Sequence, residues 1–190
     1  MIGIATLCLA IISAVLFPPT ARAQYQEDLL YRFTGGSDGA YPQASLVIDP
    51  KGDLYGTTPD GGTGGNGVVF RLYRTTNNRM SGRPIPQGSE YYPQDTWSGR
   101  TGPWSKSVLH SFTGGSDGGY PAGSLTFDSE GNLYGTALHG GNTSACGGYG
   151  CGVVFELSPP EDSTAEWTQT VLHAFAGADG ANPVARDHRF

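Results

Sequence analysis

The sequence has few residues of the kinds that build nucleic-acid surfaces or membrane spans. Its 190 residues include 11 lysines and arginines against 17 aspartates and glutamates, which gives a formal net charge of −6. This shortage of basic residues argues against nucleic acid and anionic lipid as partners. Beyond residue 17 no segment is apolar enough for a membrane helix, so we expect no membrane span once the amino-terminal segment is removed.

Motifs of familiar enzyme classes are also missing. The chain contains no nucleophile elbow, no phosphate-binding glycine loop and no HExxH motif. The GGSDGG segment is rich in glycine, but it leads to a proline rather than to a helix, so it lacks the dipole that favours phosphate. We therefore expect no cofactor and no catalytic residue. Paired carboxylates on distant strands stay open as the basis of a glycosidase-type reaction.

The first 23 residues have the pattern of a secretory signal peptide. Residues 2–17 are apolar, a proline pair follows, and Ala21-Arg22-Ala23 is a small-x-small cleavage pattern. The apolar run is short for a membrane anchor, which needs about 20 residues. We expect cleavage after Ala23 and a secreted or cell-envelope location for residues 24–190.

An internal repeat organises the rest of the chain. Residues 108–137, VLHSFTGGSDGGYPAGSLTFDSEGNLYGTA, closely match residues 29–58, and a third copy begins at Val171. Self-similarity of this kind marks an array of one structural unit. The predicted parts are unit 1 at about 25–74, an inserted loop at about 75–102, unit 2 at about 103–160 and a partial unit 3 at about 166–190.

Unit 2 is predicted to contain four short antiparallel strands. The strands are placed at 104–112, 124–128, 132–137 and 152–158. The first alternates, with Trp104, Val108 and Phe112 on one face, and a tight turn at Gly131 joins the second and third. Four such strands form one blade of a β-propeller, so we predict an all-β fold with two full propeller-type blades and the start of a third. Because a propeller needs about 4–8 blades, this one is incomplete, and its open sheet edges favour self-association.

The repeated pattern DGxxP…D..GNLYGT…GVVFEL resembles the GloVer tandem repeat of exported "choice-of-anchor" bacterial proteins. The residues that carry the resemblance are 117–121, 128, 131–136 and 152–157, and in the first copy 38–42, 49, 52–57 and 67–72. They cover most of the chain outside the inserted loop. The resemblance implies a secreted or surface-displayed repeat array, and it implies no catalytic residues.

Two cysteines, Cys146 and Cys151, lie beyond the signal peptide and predict a disulfide. An even pair in an exported protein usually closes one, and the intervening GGYG is short enough for the Cα atoms to approach to about 5.5 Å. A redox centre would need a CxxC spacing. A zinc site would need ligands besides the neighbouring His139, so we predict no metal site.

The recurring aspartates and histidines have structural interpretations. Asp49 and Asp128 each lie three residues before a glycine, where an aspartate accepts hydrogen bonds from turn amides. The aspartates of both GGSDG segments are interpreted in the same way. Calcium binding at these turns stays open, although a calcium loop needs several converging oxygens. His110 and His173 occupy the strand position that Tyr31 holds in the first copy, which favours packing over catalysis.

Four residues form the predicted ligand-contact surface: Tyr91, Tyr92 and Trp97 in the inserted loop, and His139. We expect an exported structural, adhesive or binding module whose partner is a cell-surface glycan or protein. One alternative is a polysaccharide-active propeller hydrolase or lyase. Another is a truncated fragment of a longer repeat protein, because the repeat pattern changes abruptly to VARDHRF after Pro183. The sequence points to no particular ligand or reaction.

Overall fold

The computed structural model describes residues 27–75, 102–161 and 166–184. In these ranges eight strands form two four-stranded antiparallel sheets, with the strand orders β1-β2-β3-β4 and β5-β6-β7-β8. The strands are β1 Val47–Ile48, β2 Leu54–Thr58, β3 Val68–Arg74, β4 Trp104–Ser111, β5 Thr126–Phe127, β6 Leu133–Ala137, β7 Val153–Ser158 and β8 Thr168–Ala174. A single 3-10 turn, Cys146–Gly148, is the one helical element that these ranges contain. The all-β class is therefore confirmed for the described residues.

The hairpin turns are built around the two predicted aspartates. Oδ1 of Asp128 accepts the backbone amides of Glu130 and Asn132, both at 2.9 Å, and Oδ2 accepts the Tyr134 hydroxyl at 3.0 Å. In the first sheet Asp49 accepts the amides of residues 51 and 53 at 2.8 and 2.9 Å. A carboxylate that accepts several turn amides fixes the reversal of the chain.

The strand β4 belongs to the first sheet, and the sequence prediction that placed it with the three strands after it is wrong. β4 pairs with β3, from Val68 opposite Ser111 to Arg74 opposite Trp104. β8 pairs with β7 in the same manner. Alternation of apolar residues identifies a strand, but it carries no information about which neighbour the strand bonds to. Residues 76–101 lie outside the described residues, and at their ends the Gly102 amide donates to the Thr75 carbonyl at 2.9 Å.

A bulge interrupts the alternation of β4. Val69 is opposite His110 while Phe70 is opposite Val108, so Leu109 is an extra residue on the β4 side. A bulge of this kind turns the following side chains to the other face. Leu109 is consequently buried, whereas Val108 is 38% exposed. β8 has the same irregularity opposite β7.

The two sheets pack against each other through one hydrophobic core. Phe155 and Phe112 are fully buried, and their ring centroids are 5.2 Å apart at an interplanar angle of 64°. Tyr55 and Val69 of the first sheet join the same cluster. The Thr57 hydroxyl donates to the Gly123 carbonyl at 3.2 Å and links the sheets by a buried polar contact. Packing of this size dominates the stability of a small β domain.

Candidate functional site

A cleft of about 670 Å³ opens where both sheets turn their hairpins. The turns after β1 and β5 form two of its walls, and the chain on either side of the β7–β8 connection forms a third. Its lining includes the side chains of Asp49, Tyr55, Arg71, Phe127, Asp128 and Trp167. Because they come from both sheets, the cleft depends on the packing that brings the two repeats together.

Aromatic rings line the inner wall of the cleft. The Tyr55 ring meets Phe127 edge-on at 5.0 Å and Trp167 at 6.3 Å. Tyr55 itself is buried, and its hydroxyl donates to Asp49 Oδ2 at 3.2 Å. Burial raises the pKa of Tyr55, so its hydroxyl stays protonated at neutral pH. Phe127 and Trp167 are only partly buried and present apolar ring surface to the cleft.

Arg71 places a fixed positive charge in the cleft. Its Nε donates to Asp53 Oδ2 at 2.9 Å, and Nη2 donates to the same oxygen. The guanidinium carbon lies 5.0 Å from the Tyr73 ring centroid and 6.0 Å from that of Tyr55, within cation–π range. Burial acts to lower the pKa of Arg71, but the hydrogen bond to Asp53 and the charges of the neighbouring groups together outweigh it, and the pKa is raised. The guanidinium therefore remains charged at every ordinary pH.

Carboxylates stand at the rim of the cleft. Hydrogen bonds from the Asn132 side chain, and then from the neighbouring amides, hold the pKa of Asp128 below its usual value. The Asp128 carboxylate is thus ionised at neutral pH, and the four hydrogen bonds that it accepts within its turn hold it in place. General acids of hydrolases instead need a raised pKa. The lowered pKa of Asp128 therefore does not suit the role of a general acid.

The predicted disulfide is present. Cys146 and Cys151 are bonded, with their Cα atoms 5.3 Å apart. The bond closes the loop that follows β6, at the opposite end of the second sheet from the cleft. In the first sheet Asn66 occupies the position of Cys151, and its side-chain amide donates to the carbonyls of Gly64 and Thr113 at 2.7 and 2.8 Å. The loop is therefore fixed by a disulfide in the second copy and by side-chain hydrogen bonds in the first.

Among the predicted contact residues, His139 lies in the disulfide end of the second sheet and not in the cleft. Its ring is 5.4 Å from Tyr120 and 5.9 Å from Tyr149, and Tyr149 is 72% exposed. Tyr91, Tyr92 and Trp97 lie outside the described residues. The prediction that these four residues share one contact surface therefore stays a prediction.

The strand position shared by Tyr31, His110 and His173 carries a hydrogen bond to an aspartate. His110 Nε2 lies 3.3 Å from Asp117 Oδ2, and the Tyr31 hydroxyl donates to the equivalent aspartate of the first copy at 3.0 Å. Burial lowers the pKa of His110, although the neighbouring Asp117 acts to raise it. Tyrosine and histidine exchange here because each reaches the same carboxylate.

Sequence reasoning missed Arg71, Phe127 and Trp167 as residues of the cleft. A signal for the first was present in the repeat. Asp53 and Arg71 of the first copy correspond to Asn132 and Glu156 of the second, so both members of one bonded pair differ together between the copies. Joint divergence at two positions of otherwise similar repeats indicates a contact. Phe127 and Trp167 carry no such signal, because their positions are apolar in both copies.

The described residues contain neither a metal-binding cluster nor a membrane-spanning helix. No group of three or more histidine, cysteine, aspartate or glutamate side chains in this part of the chain could hold a metal ion. In the same residues no helix has the length and apolar character needed to cross a membrane.

Comparison with known proteins identifies the repeat. No curated protein and no solved structure matches the chain. The family model of the Gloeobacter/Verrucomicrobia repeat matches residues 15–187, which is most of the sequence. This confirms the family that the GNLYGT and GVVFEL segments predict. The chain belongs to the Gloeobacter/Verrucomicrobia repeat family.

Proposed function

We propose that this protein is an exported binding module, located at or outside the cell envelope, that holds a neutral glycan in the cleft between its two sheets. The observation that carries the proposal is the composition of that cleft: partly exposed aromatic rings beside carboxylates and one fixed guanidinium. Export is inferred from the signal-peptide pattern of the first 23 residues. The ligand class is inferred from the side chains alone.

The chemistry of a sugar suits these groups. The C–H faces of a pyranose ring pack on aromatic surface, which Trp167 and Phe127 offer. Its hydroxyls donate to carboxylates, and Asp49 stands on one of the two turns that flank the rings, where its Oδ2 accepts a single hydrogen bond, from Tyr55. Arg71 can donate to the ring or hydroxyl oxygens of the same sugar. The overall net charge of −6 disfavours acidic polymers and leaves neutral glycans as the better ligand.

We also propose that each four-stranded sheet is a propeller-type blade. The two sheets share one strand order, one bulge position and one set of hairpin turns, and they pack face to face. Stacking of such sheets around an axis would produce a propeller. Within this proposal the protein binds its glycan without cleaving it, and further association through sheet edges places it in a larger assembly.

The test is a binding measurement on a panel of neutral and acidic polysaccharides. Calorimetry should show saturable binding to at least one neutral member, and Trp167→Ala should weaken that binding by about tenfold or more, the loss of one stacked ring. The matched control is Trp104→Ala. Trp104 holds the same strand position in the first sheet but packs outside the cleft against Phe70 and Leu72.

Three results would count against the proposal. The first is the absence of binding to every polysaccharide by a folded protein. The second is an equal loss of affinity in the two tryptophan variants, which would indicate a general effect on stability. The third is the release of reducing or unsaturated sugar ends during incubation, which would favour the hydrolase or lyase instead.

A further inference from the structure

The segment of residues 29–33 repeats the sequence of a fourth strand. It reads LLYRF, where the end of β4 and the residue after it read VLHSF and the corresponding stretch at β8 reads VLHAF. β4 and β8 are each paired with the third strand of a sheet. Residues 29–33 are not part of any strand among the described residues. This inference concerns the segment of residues 29–33 and the face of the first sheet beside it, which meets the cleft at Ile48, and it does not depend on the proposed glycan.

The side chains of this segment already occupy the positions that a fourth strand uses. The rings of Phe33 and Phe70 are 4.9 Å apart at 67°, and those of Phe112 and Phe155 are 5.2 Å apart at 64°. The segment therefore packs on the first sheet as the end of β4 packs on the second sheet.

A polar contact repeats in the same way. Lys106 Nζ donates to the carbonyl of Asp38 at 2.9 Å, and Gln169 Nε2 donates to the carbonyl of Asp117 at 3.0 Å. Lys106 and Gln169 hold equivalent places in β4 and β8. Residues 29–38 therefore lie against the first sheet as residues 108–117 lie against the second sheet. Because residues 108–111 are the end of the fourth strand of the first sheet, residues 29–33 hold the place of the fourth strand of a preceding sheet.

Among the described residues no further sheet covers this side of the first sheet. In the core between the two sheets, Tyr55 and Val69 join the cluster that contains Leu125, which is 4% exposed. Leu46, the counterpart of Leu125 in the first copy, is 46% exposed, and its neighbour Ile48 is 65% exposed. In the second sheet, the face that carries Leu125 is covered by Tyr55 and Val69 of the first sheet. The corresponding face of the first sheet, which carries Leu46, is therefore one half of the same kind of interface.

We propose that residues 29–33 serve as the fourth strand of a three-stranded antiparallel sheet of the same repeat type supplied by another polypeptide chain. The incoming sheet pairs with the segment through backbone hydrogen bonds, as β3 pairs with β4, and it covers Leu46 and Ile48. It presents an aromatic and a β-branched residue, in the manner of Tyr55 and Val69. Strand addition of this kind draws its affinity from the backbone and its specificity from alternate side chains.

A complete second copy of this chain fits the site less well. Both sheets in the described residues already contain four strands. The outer strand β8 would also compete with residues 29–33 for the same place on the first sheet, because its Leu172 corresponds to Leu30. The suitable partner is a sheet of three strands whose third strand has an open edge.

The test uses a version of this chain as the acceptor. A chain that ends after residue 161 lacks β8 and leaves β7 with an open edge, and Arg32→Pro in this acceptor disables its own segment. Mixed with the full-length protein, it should form a one-to-one complex by light scattering. Arg32→Pro in the full-length donor should weaken that complex at least tenfold. Arg32 is exposed, so the substitution spares the packing of the neighbouring rings.

A synthetic peptide of residues 166–176, which is the natural fourth strand, shows whether the acceptor is competent. If the peptide binds and the full-length protein does not, the proposal is wrong. A stable dimer of the unaltered full-length chain alone would also overturn it, because the occupant would then be a complete second copy.

A graft decides the matter if the shortened acceptor does not fold. In the full-length chain, residues 171–175 are replaced by LLYRF, with the scrambled order RLFYL as the matched control. We expect the graft to melt within a few degrees of the parent chain and the control to melt well below it. This result would support the proposal. An equal loss in both chains would contradict it.

Discussion

At the scale of single residues, one aspartate recurs at the same place in all three copies of the repeat. Asp38 and Asp117 each accept the amide of a threonine four residues earlier at 2.9 Å, and Asp179 accepts the amide of Ala176 at 2.8 Å. The threonine hydroxyls bond to the same carboxylates in the first two copies. An ionised aspartate is therefore part of the loop architecture, and the loop should respond to acid.

Acid should destabilise the protein through Asp38. Hydrogen bonds, above all from the Thr34 hydroxyl, lower the pKa of Asp38 from 3.8 to about 2. Because the folded-state pKa lies below the unfolded one, the stabilisation is complete above about pH 4 and is lost as the pH falls toward 2. Asp38→Asn should melt a few degrees lower at pH 7 and lose less stability between pH 4 and pH 2. Melting curves across this range measure both effects, and parallel pH profiles of the two proteins would refute the prediction.

The ion pair of Asp53 and Arg71 gives a second prediction at this scale. Asp53 is 1% exposed, so removal of one partner should leave a poorly solvated group and cost about 1–3 kcal/mol. The double variant Asp53→Asn with Arg71→Glu reproduces the residues of the second copy, Asn132 and Glu156. It should recover most of the loss made by Arg71→Glu alone. Urea denaturation of the four proteins yields the coupling energy, and simple additivity would show that the pair is not the reason for the joint divergence.

At the scale of strands and sheets, a glycine in the second strand admits the ring of the third. Gly135 is opposite Phe155, and a Cβ at residue 135 would lie 2.6 Å from the Phe155 ring and 2.8 Å from Leu125. Gly56 is opposite Phe70 in the first sheet, where a Cβ would meet Leu46 at 2.6 Å. The LYGT motif thus has a glycine because β2 and β6 lie too close to the rings of Phe70 and Phe155 for a larger residue.

Gly135→Ala should therefore destabilise the protein more than Gly56→Ala. Leu125 is buried and cannot move away, whereas Leu46 is 46% exposed and can. Overpacking of a filled core costs about 1–3 kcal/mol, and we expect Gly135→Ala in this range with Gly56→Ala at its lower end or below. Chemical denaturation of both variants under one set of conditions provides the comparison. The reverse order of stability would mean that the two sheets are not packed as described.

Much of the strand pattern follows from the sequence, while strand partners and the cleft do not. Period-two alternation and glycine-centred turns place β4 and β7 to within about a residue, because both signals are local. Partner choice depends on how distant segments pack, so the alternation of β4 does not reveal that its partner is β3. The bulge at Leu109 is equally invisible, since it arises only when β4 meets β3. The cleft needs Arg71 and Trp167 from different repeats to converge, and periodicity carries no such information.

At the scale of the whole molecule, the two repeats have different surroundings although their sequences are similar. The core between the sheets covers one face of each, so a given position is buried or exposed according to which copy it lies in. Leu109 of β4 is 9% exposed, whereas its counterpart Leu172 of β8 is 49% exposed. In repeat proteins stability is close to a sum of unit and interface contributions, and outer units are the weakest. The strands β4 and β8 therefore have similar sequences but different surroundings within one molecule.

Hydrogen exchange should distinguish these two strands. β4 and β8 have similar sequences and the same pairing with a third strand, so the backbone hydrogen bonds are equivalent. Among the described residues, Leu109 of β4 and the following Phe112 lie buried in the shared core, whereas from β8 the partly buried Val171 packs against it. Opening of β8 breaks fewer apolar contacts, and its amides should exchange about tenfold faster or more than those of β4.

Exchange resolved at His110 and His173, which hold equivalent positions, gives the comparison. Equal protection in dilute solution would mean that another surface covers β8, and its loss on further dilution would identify that surface as a second molecule of the protein.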